Sequence, residues 1–336
     1  MNRYLPLMMV LLLGASAPGQ DQSKRIGEIE FFGSAGIDVN KIRAVLPLRE
    51  GDDFDIETAG EKITRALEAV RQMTGHPPTD IAPTCCDDQK NWIIYIGLAG
   101  KATKYNPHPK GTSRLPVSVI RLYQRFMSAL GVAVQKGAAG EDRSKGYALS
   151  EDPALRATQL EMRGFAIPNE ALVRKVLATS ASDEQRIAAS EVLGFARQSG
   201  AQLMALAHAS RDSNSTVRNN ATRALLVLAA SNPKPAATQI PPGTFVELLL
   251  SGTWTDVNKS SSLLSFVTQN IKPKVLAQLR TREVQERLIE IARWRTGHAQ
   301  AARLILGRLA GIDEERLQQL VSAGQVETII HQLQGR

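Results

Sequence analysis

The stretch Asp212-Ser213-Asn214-Ser215-Thr216-Val217-Arg218-Asn219-Asn220-Ala221-Thr222-Arg223-Ala224-Leu225 has relatives elsewhere in its own chain. An earlier copy runs Ser182-Asp183-Glu184-Gln185-Arg186-Ile187-Ala188-Ala189 and on to Val192-Leu193-Gly194. Looser copies lie around Asp256-Val257-Asn258-Lys259 to Leu264, and from Gly297-His298 through Ala302 to Leu306-Gly307-Arg308. A supersecondary unit that recurs in this way cannot bury its apolar face alone and does so against its neighbours, which predicts a stack of repeats.

The spacing inside each copy is helical. Ala189, Val192, Leu193 and Ala196 fall on one face, as do Val217, Ala221, Ala224, Leu225 and Leu228, and again Val284, Leu288, Ile291 and Ala292. Ser182 with Gln185 three residues on reads as a capping box, and Ser215 and Thr255 or Asp256 stand where further N-caps are expected. Breaks at Gly200, Asn232-Pro233-Lys234-Pro235, Pro241-Pro242-Gly243, Gly252 and Gly297 separate the helices, so residues 154–336 read as helical throughout.

These paired helices resemble HEAT-like repeats. Such repeats open their second helix with an acidic residue, then Val-Arg, then spaced Ala and Leu; Asp212, Val217, Arg218, Ala221, Ala224 and Leu225 match, and Arg186, Ala189 and Leu193 match 32 residues earlier. The third copy departs, with Lys259 in place of Arg and Ser260 to Ser262 where Ala is usual. The step from Arg218 to Lys259 is 41 residues, which predicts a bend or insertion around residues 231–244. The resemblance implies a mainly α fold, a short right-handed α-solenoid of the armadillo-like helical class.

Ahead of it, residues 24–100 read as a small α+β domain: a strand over 26–32, helices over 39–46 and 56–73, and strands over 79–86 and 92–98 joined by Asp87-Asp88-Gln89-Lys90. On Ile29-Glu30-Phe31-Phe32-Gly33, on Leu46-Pro47-Leu48-Arg49-Glu50-Gly51-Asp52-Asp53-Phe54 and on the apolar strand from Ile93 to Ile96, this β-α-α-β-β order resembles the POTRA module of bacterial exported and outer-membrane assembly proteins. The resemblance implies partner binding by strand addition at a sheet edge. Residues 101–153, with Pro107, Pro109 and Pro116, read as a basic linker carrying one helix over 117–134 and a second, Gly-rich loop.

The first residues have the layout of a secretory leader: Arg3, an apolar run from Leu5 to Leu13, then Gly14-Ala15-Ser16-Ala17. Residues 1–20 are therefore expected to be a signal peptide, and the mature chain to be periplasmic or secreted. The net charge of +8 is uneven: residues 24–100 carry 9 Lys/Arg against 13 Asp/Glu, residues 101–150 carry 9 against 2, and residues 151–336 carry 22 against 17. A basic exported surface meets acidic proteins, anionic lipid or acidic polysaccharide. Aromatic content of 5% is too low for the basic-aromatic pattern of nucleic-acid binders.

The chain shows no phosphate-cradling glycine loop, HExxH or G-x-S-x-G, and its five histidines are scattered, so neither a catalytic centre, a metal site nor a cofactor is expected. Cys85 and Cys86 are adjacent; on a strand one thiol would point inward and one outward, and the alternative is a vicinal or intermolecular disulfide. The densest polar residues recur at the starts of second helices: Arg218, Asn219, Asn220, then Asp256, Asn258, Lys259, then Arg293, Trp294, His298 and Arg303. In a solenoid these line up either as a binding strip for an anionic partner or as a ladder of Asp and Arg that staples the repeats. The expected function is a non-enzymatic exported adaptor for protein partners. A HEAT-like enzyme or enzyme subunit of the lyase type is one alternative, and an envelope module for anionic lipid or polysaccharide is the other.

Overall fold

The computed structural model describes residues 25–34, 36–98, 103–138, 140–232, 240–270 and 273–335. The expected leader, residues 1–20, lies outside the described residues, as do residues 233–239 within the expected insertion.

Strand β1 (Ile26–Phe32), helices α1 (Val39–Val45) and α2 (Gly60–Thr74), and strands β2 (Asp80–Cys85) and β3 (Trp92–Gly97) follow one another in that order. The sheet runs β1-β3-β2, with β3 parallel to β1 and antiparallel to β2. Pro83 sits in β2, an outer strand, where a residue without an N–H is tolerated.

The apolar run of β3 is explained by burial on both faces. Ile94 and Ile96 pack with Ile29, Phe31, Ile42, Ile63, Ala66 and Val70 under α1 and α2. Ile93 and Tyr95, pointing the other way, join Phe32 in the core of the helical stack. The sheet is thus a middle layer between its own helices and the stack. A strand that alternated apolar and polar residues could have faced water, and this one cannot, so the small domain is not set apart from the stack.

Residues 103–116 are not a free linker either. Asn106 N donates to Arg211 O (2.6 Å), Gly111 N to Thr179 O (2.7 Å) and Ala181 N to Gly111 O (2.7 Å), laying an extended strap across the loops of the stack. A Cβ on Gly111 would come 2.5 Å from Thr179 O, so only glycine permits this approach. Helix α3 (Val117–Gln135) then buries Val119, Ile120, Leu122 and Phe126 in the stack's core. The strands β4 (Glu141–Asp142) and β5 (Leu149–Ser150) form a short arm leading into the repeats.

The stack consists of α4 (Pro153–Thr179), α5 (Asp183–Leu193), α6 (Gly200–Ala209), α7 (Ser215–Ser231), α8 (Pro242–Leu249), α9 (Trp254–Val267), α10 (Pro273–Leu279), α11 (Arg282–Ala292), α12 (Gln300–Leu309), α13 (Glu314–Ser322) and α14 (Val326–Gln334). Helices α5, α7, α9, α12 and α14 pack in succession, each against its own antiparallel neighbour, which is a helical-repeat solenoid. Pro168 removes a backbone donor from α4, and Asn169 departs from helical geometry there (φ −115°, ψ 17°).

The caps differ in part from expectation. Ser182 accepts from Gln185 N, but the Gln185 side chain accepts from Leu115 N and Ser182 N donates to Ser180, so the reciprocal half of the capping box is not formed; α7 is capped by Asn214, whose side chain accepts from Thr216 N and Val217 N, and α9 starts after Thr253. Ser215 lies inside α7 instead, because Asn214 takes the first orphan donors one residue earlier, and Thr255 and Asp256 lie inside α9, whose N-cap Thr253 makes no side-chain cap bond.

Candidate functional site

The residues expected to form one strip fall into three groups, with a few outliers. The first group is a ladder. Arg186 is fully buried and forks onto Asp212, Nε to Oδ2 at 2.9 Å and Nη2 to Oδ1 at 3.0 Å, while Nη1 donates to Ser180 O. Arg218 repeats this one step on: Nε lies 2.9 Å from Asp256 Oδ1, Nη2 lies 3.1 Å from Oδ2, and Nη1 donates to Asp212 O. Each arginine therefore ties the start of one inner helix to the next repeat with its donors satisfied. Burial works against the charge of Arg186, but its bonds to Asp212 and Asp183 outweigh it and raise its pKa above the ordinary value. Tyr105 of the strap closes the second rung, its ring 3.7 Å under the Arg218 guanidinium and its hydroxyl donating to Asp256 Oδ2 (2.8 Å).

The second group is the seam where the sheet meets the stack. The Tyr95 ring lies flat on Trp254, centroids 3.4 Å apart and planes 10° from parallel, with Trp294 at 5.2 Å. Its hydroxyl is 2.7 Å from His298 Nδ1 and 2.9 Å from Thr296 Oγ1. Around this aromatic centre the backbone is satisfied across the seam. Trp294 Nε1 donates to Phe31 O (2.9 Å), Gly33 N and Ser34 N donate to Glu290, Arg295 N donates to Glu30 Oε1 and Trp254 N donates to Asp80 Oδ2. Burial, then the charge of Lys259, pushes His298 down to about 4, so the imidazole is neutral at neutral pH. Burial raises the Tyr95 hydroxyl and the carboxyls of Glu30 and Asp80 above their usual ranges.

The third group lies on the inner helices between the arm and the seam. Arg223 of α7 is paired with Glu141 of the arm and is 3.5 Å from Glu191 of α5. Arg143 also binds Glu141, at 3.2 Å. Asn220 donates to Ile187 O and accepts from Asn219. Lys259 of α9 is half-buried within the fields of Arg223, Arg143, Glu141 and Glu191, and makes no hydrogen bond or ion pair with any described residue. Burial first, then the two arginines, lowers its amine to about 8. Burial raises Glu191, and burial together with Glu191 raises Tyr123 of α3 to about 12.

The remaining candidates stand apart. Arg293 forms an exposed pair with Glu327 at 2.8 Å, and Arg303 donates to Ala292 O and Trp294 O at the end of α11. The Asn258 carbonyl accepts from Ser261 Oγ. Cys85 and Cys86 are joined to each other at the end of β2, away from all three groups. Among the described residues no three His, Cys, Asp or Glu side chains are placed to hold a metal ion, and no helix is long and apolar enough to cross a membrane.

Sequence reading missed Tyr95, Tyr105, Glu191, Arg223 and Glu290. Tyr95 carried a signal, a single polar tip in an otherwise apolar strand, which asks for a buried partner for its hydroxyl. Glu290 and Tyr105 carried none, since each acts across more than a hundred residues of sequence.

No family model and no curated protein matches the chain. Among solved structures, a designed armadillo repeat protein in complex with the peptide (KR)4 is similar over 55% of this chain and 88% of its own, at 14% sequence identity and a TM-score of 0.38.

Proposed function

We propose that the chain is a non-enzymatic exported adaptor that holds protein partners on a rigid frame made of its solenoid and its POTRA-like sheet. The observation that supports this most is how fully the molecule's strong polar groups are spent on internal rigidity: the Arg186 and Arg218 rungs, the strap and the aromatic seam all join one part of the chain to another. A frame of this kind presents surfaces in fixed relation, which lowers the ordering cost a partner must meet on binding.

Two surfaces serve the reading. One is the inner face around Lys259. The other is the outer edge of β2, because β1 is tied off on its outer side: Ile29 N donates to Glu50, Ile29 O accepts from Arg43, and Phe31 O accepts from Trp294. Strand addition, if the POTRA-like likeness extends to function, therefore uses β2. The lyase-type alternative gains no support, since both cysteines lie in or beside β2 and not in the stack.

The test is capture of partners from an envelope extract by the mature chain, washed at low and high salt, followed by a titration of the purified partner. Binding that survives 1 M salt and saturates at one partner per chain supports the adaptor. Capture of only anionic lipid or polysaccharide, lost as the screening length shrinks to about 3 Å, would replace it with the envelope-module reading.

A further inference from the structure

The inner face of the stack holds a charge imbalance that the frame itself does not use. Three cations, Arg143, Arg223 and Lys259, share the space with two carboxylates, Glu141 and Glu191. Both carboxylates are already engaged: Glu141 by Arg143 and Arg223, and Glu191 by Arg223. Lys259 is left with three donors and no acceptor among the described residues. One turn earlier on the same face of α9, Thr255 Oγ1 is buried and has no hydrogen-bond partner. Two independent features, an uncompensated cation and an orphan hydroxyl, thus sit side by side between the arm and the seam. Each is costly when unmet and each is met by the same kind of group.

We propose that Lys259 Nζ and Thr255 Oγ1 form a binding site for an oxyanion, a carboxylate or phosphate group entering the inner face between the arm and the sheet. The proposal gives the adaptor reading its partner chemistry: a protein partner would reach the site with an acidic side chain. A free phosphate or small carboxylate would use the same two donors. An arriving anion favours the charged form of the Lys259 amine, which burial and the two arginines disfavour.

The experiment is competitive acetylation of the mature chain with trace acetic anhydride at pH 8, reading Lys259 against exposed Lys41 of α1 by mass spectrometry. Inorganic phosphate and an octaglutamate peptide are the two probes, with ionic strength held equal by sodium chloride. The expected result is that a bound probe slows acetylation of Lys259 at least about fivefold with Lys41 unchanged, and that Thr255→Val weakens this protection. Protection by octaglutamate identifies a polypeptide as the source of the anion. Protection by phosphate alone keeps the site and assigns it to a small ion. Unchanged labelling of Lys259 with both probes overturns the site, whereas the adaptor reading stands or falls on the capture experiment.

Discussion

Arg186 and Lys259 show what burial does to a cation with and without an acceptor. Arg186 is buried with every contact satisfied, so removing Asp212 takes away its one buried carboxylate and leaves it only the half-exposed Asp183. Asp212→Ala is expected to cost about 3 to 5 kcal/mol, read as a shift in the urea midpoint, whereas an exposed pair such as Arg293 and Glu327 should cost under about 1 kcal/mol when broken. Lys259 is the converse case. Its native pKa of about 8 lies below the ordinary 10.5, so between these values the unfolded chain binds more protons and stability rises with pH. At pH 7 the lysine is a burden, and Lys259→Met should raise stability by about 1 to 3 kcal/mol. His298, neutral in the fold at about 4 against 6.5, has the same sign in a lower window. Stability should fall as pH drops from about 6.5 toward 4, and His298→Phe should flatten that part of the urea-denaturation profile. The sequence made both partners of each rung visible as residue types, with Arg186 and Asp212 separated by a repeat. It could not say that Lys259 would lack a partner, because that depends on where the arm carries Glu141 and Arg143.

At the scale of elements, the repeats were legible and their attachments were not. Ala189, Val192 and Leu193, and then Val217, Ala221 and Leu225, form buried faces as their spacing predicts, since helical periodicity is a local property. Strand β3 was legible as a strand, and its unbroken apolar run held the further message that both faces are covered. The strap was misread because Pro107, Pro109 and Gly111 look the same in a free linker as in an extended segment held by backbone bonds to distant loops. Gly252 marks the closeness of sheet and stack: a Cβ there would lie 2.7 Å from the Cβ of Thr79. Gly252→Val should push the two apart, and we expect a loss of about 1 to 3 kcal/mol in thermal or urea unfolding. Tyr105→Ala tests the strap in the same way. It removes the ring over Arg218 and leaves Asp256 one donor short, so limited proteolysis should cut within residues 103–116 in the variant and spare the parent.

For the whole molecule, two hydrophobic clusters share one three-stranded sheet, and the larger extends from Phe32 and Tyr95 to Ile330. A chain built this way should lose sheet and solenoid together, because β3 cannot keep Ile93 and Tyr95 dry without α9 and the loop carrying Trp294. This is the property that turns a row of repeats into a frame with fixed surfaces. The decisive measurement is native-state hydrogen exchange, comparing the amides of β3 (Trp92–Gly97) with those of α9, in the parent and in Trp254→Ala. In the parent both segments should exchange only through global opening, with equal protection. In the variant, stripped of the ring under Tyr95, β3 and the stack helices α5, α7 and α9 should lose protection together, by about 3 kcal/mol or more. If β3 in the parent already exchanges far faster than α9, the sheet opens independently of the stack, and the single rigid frame is wrong.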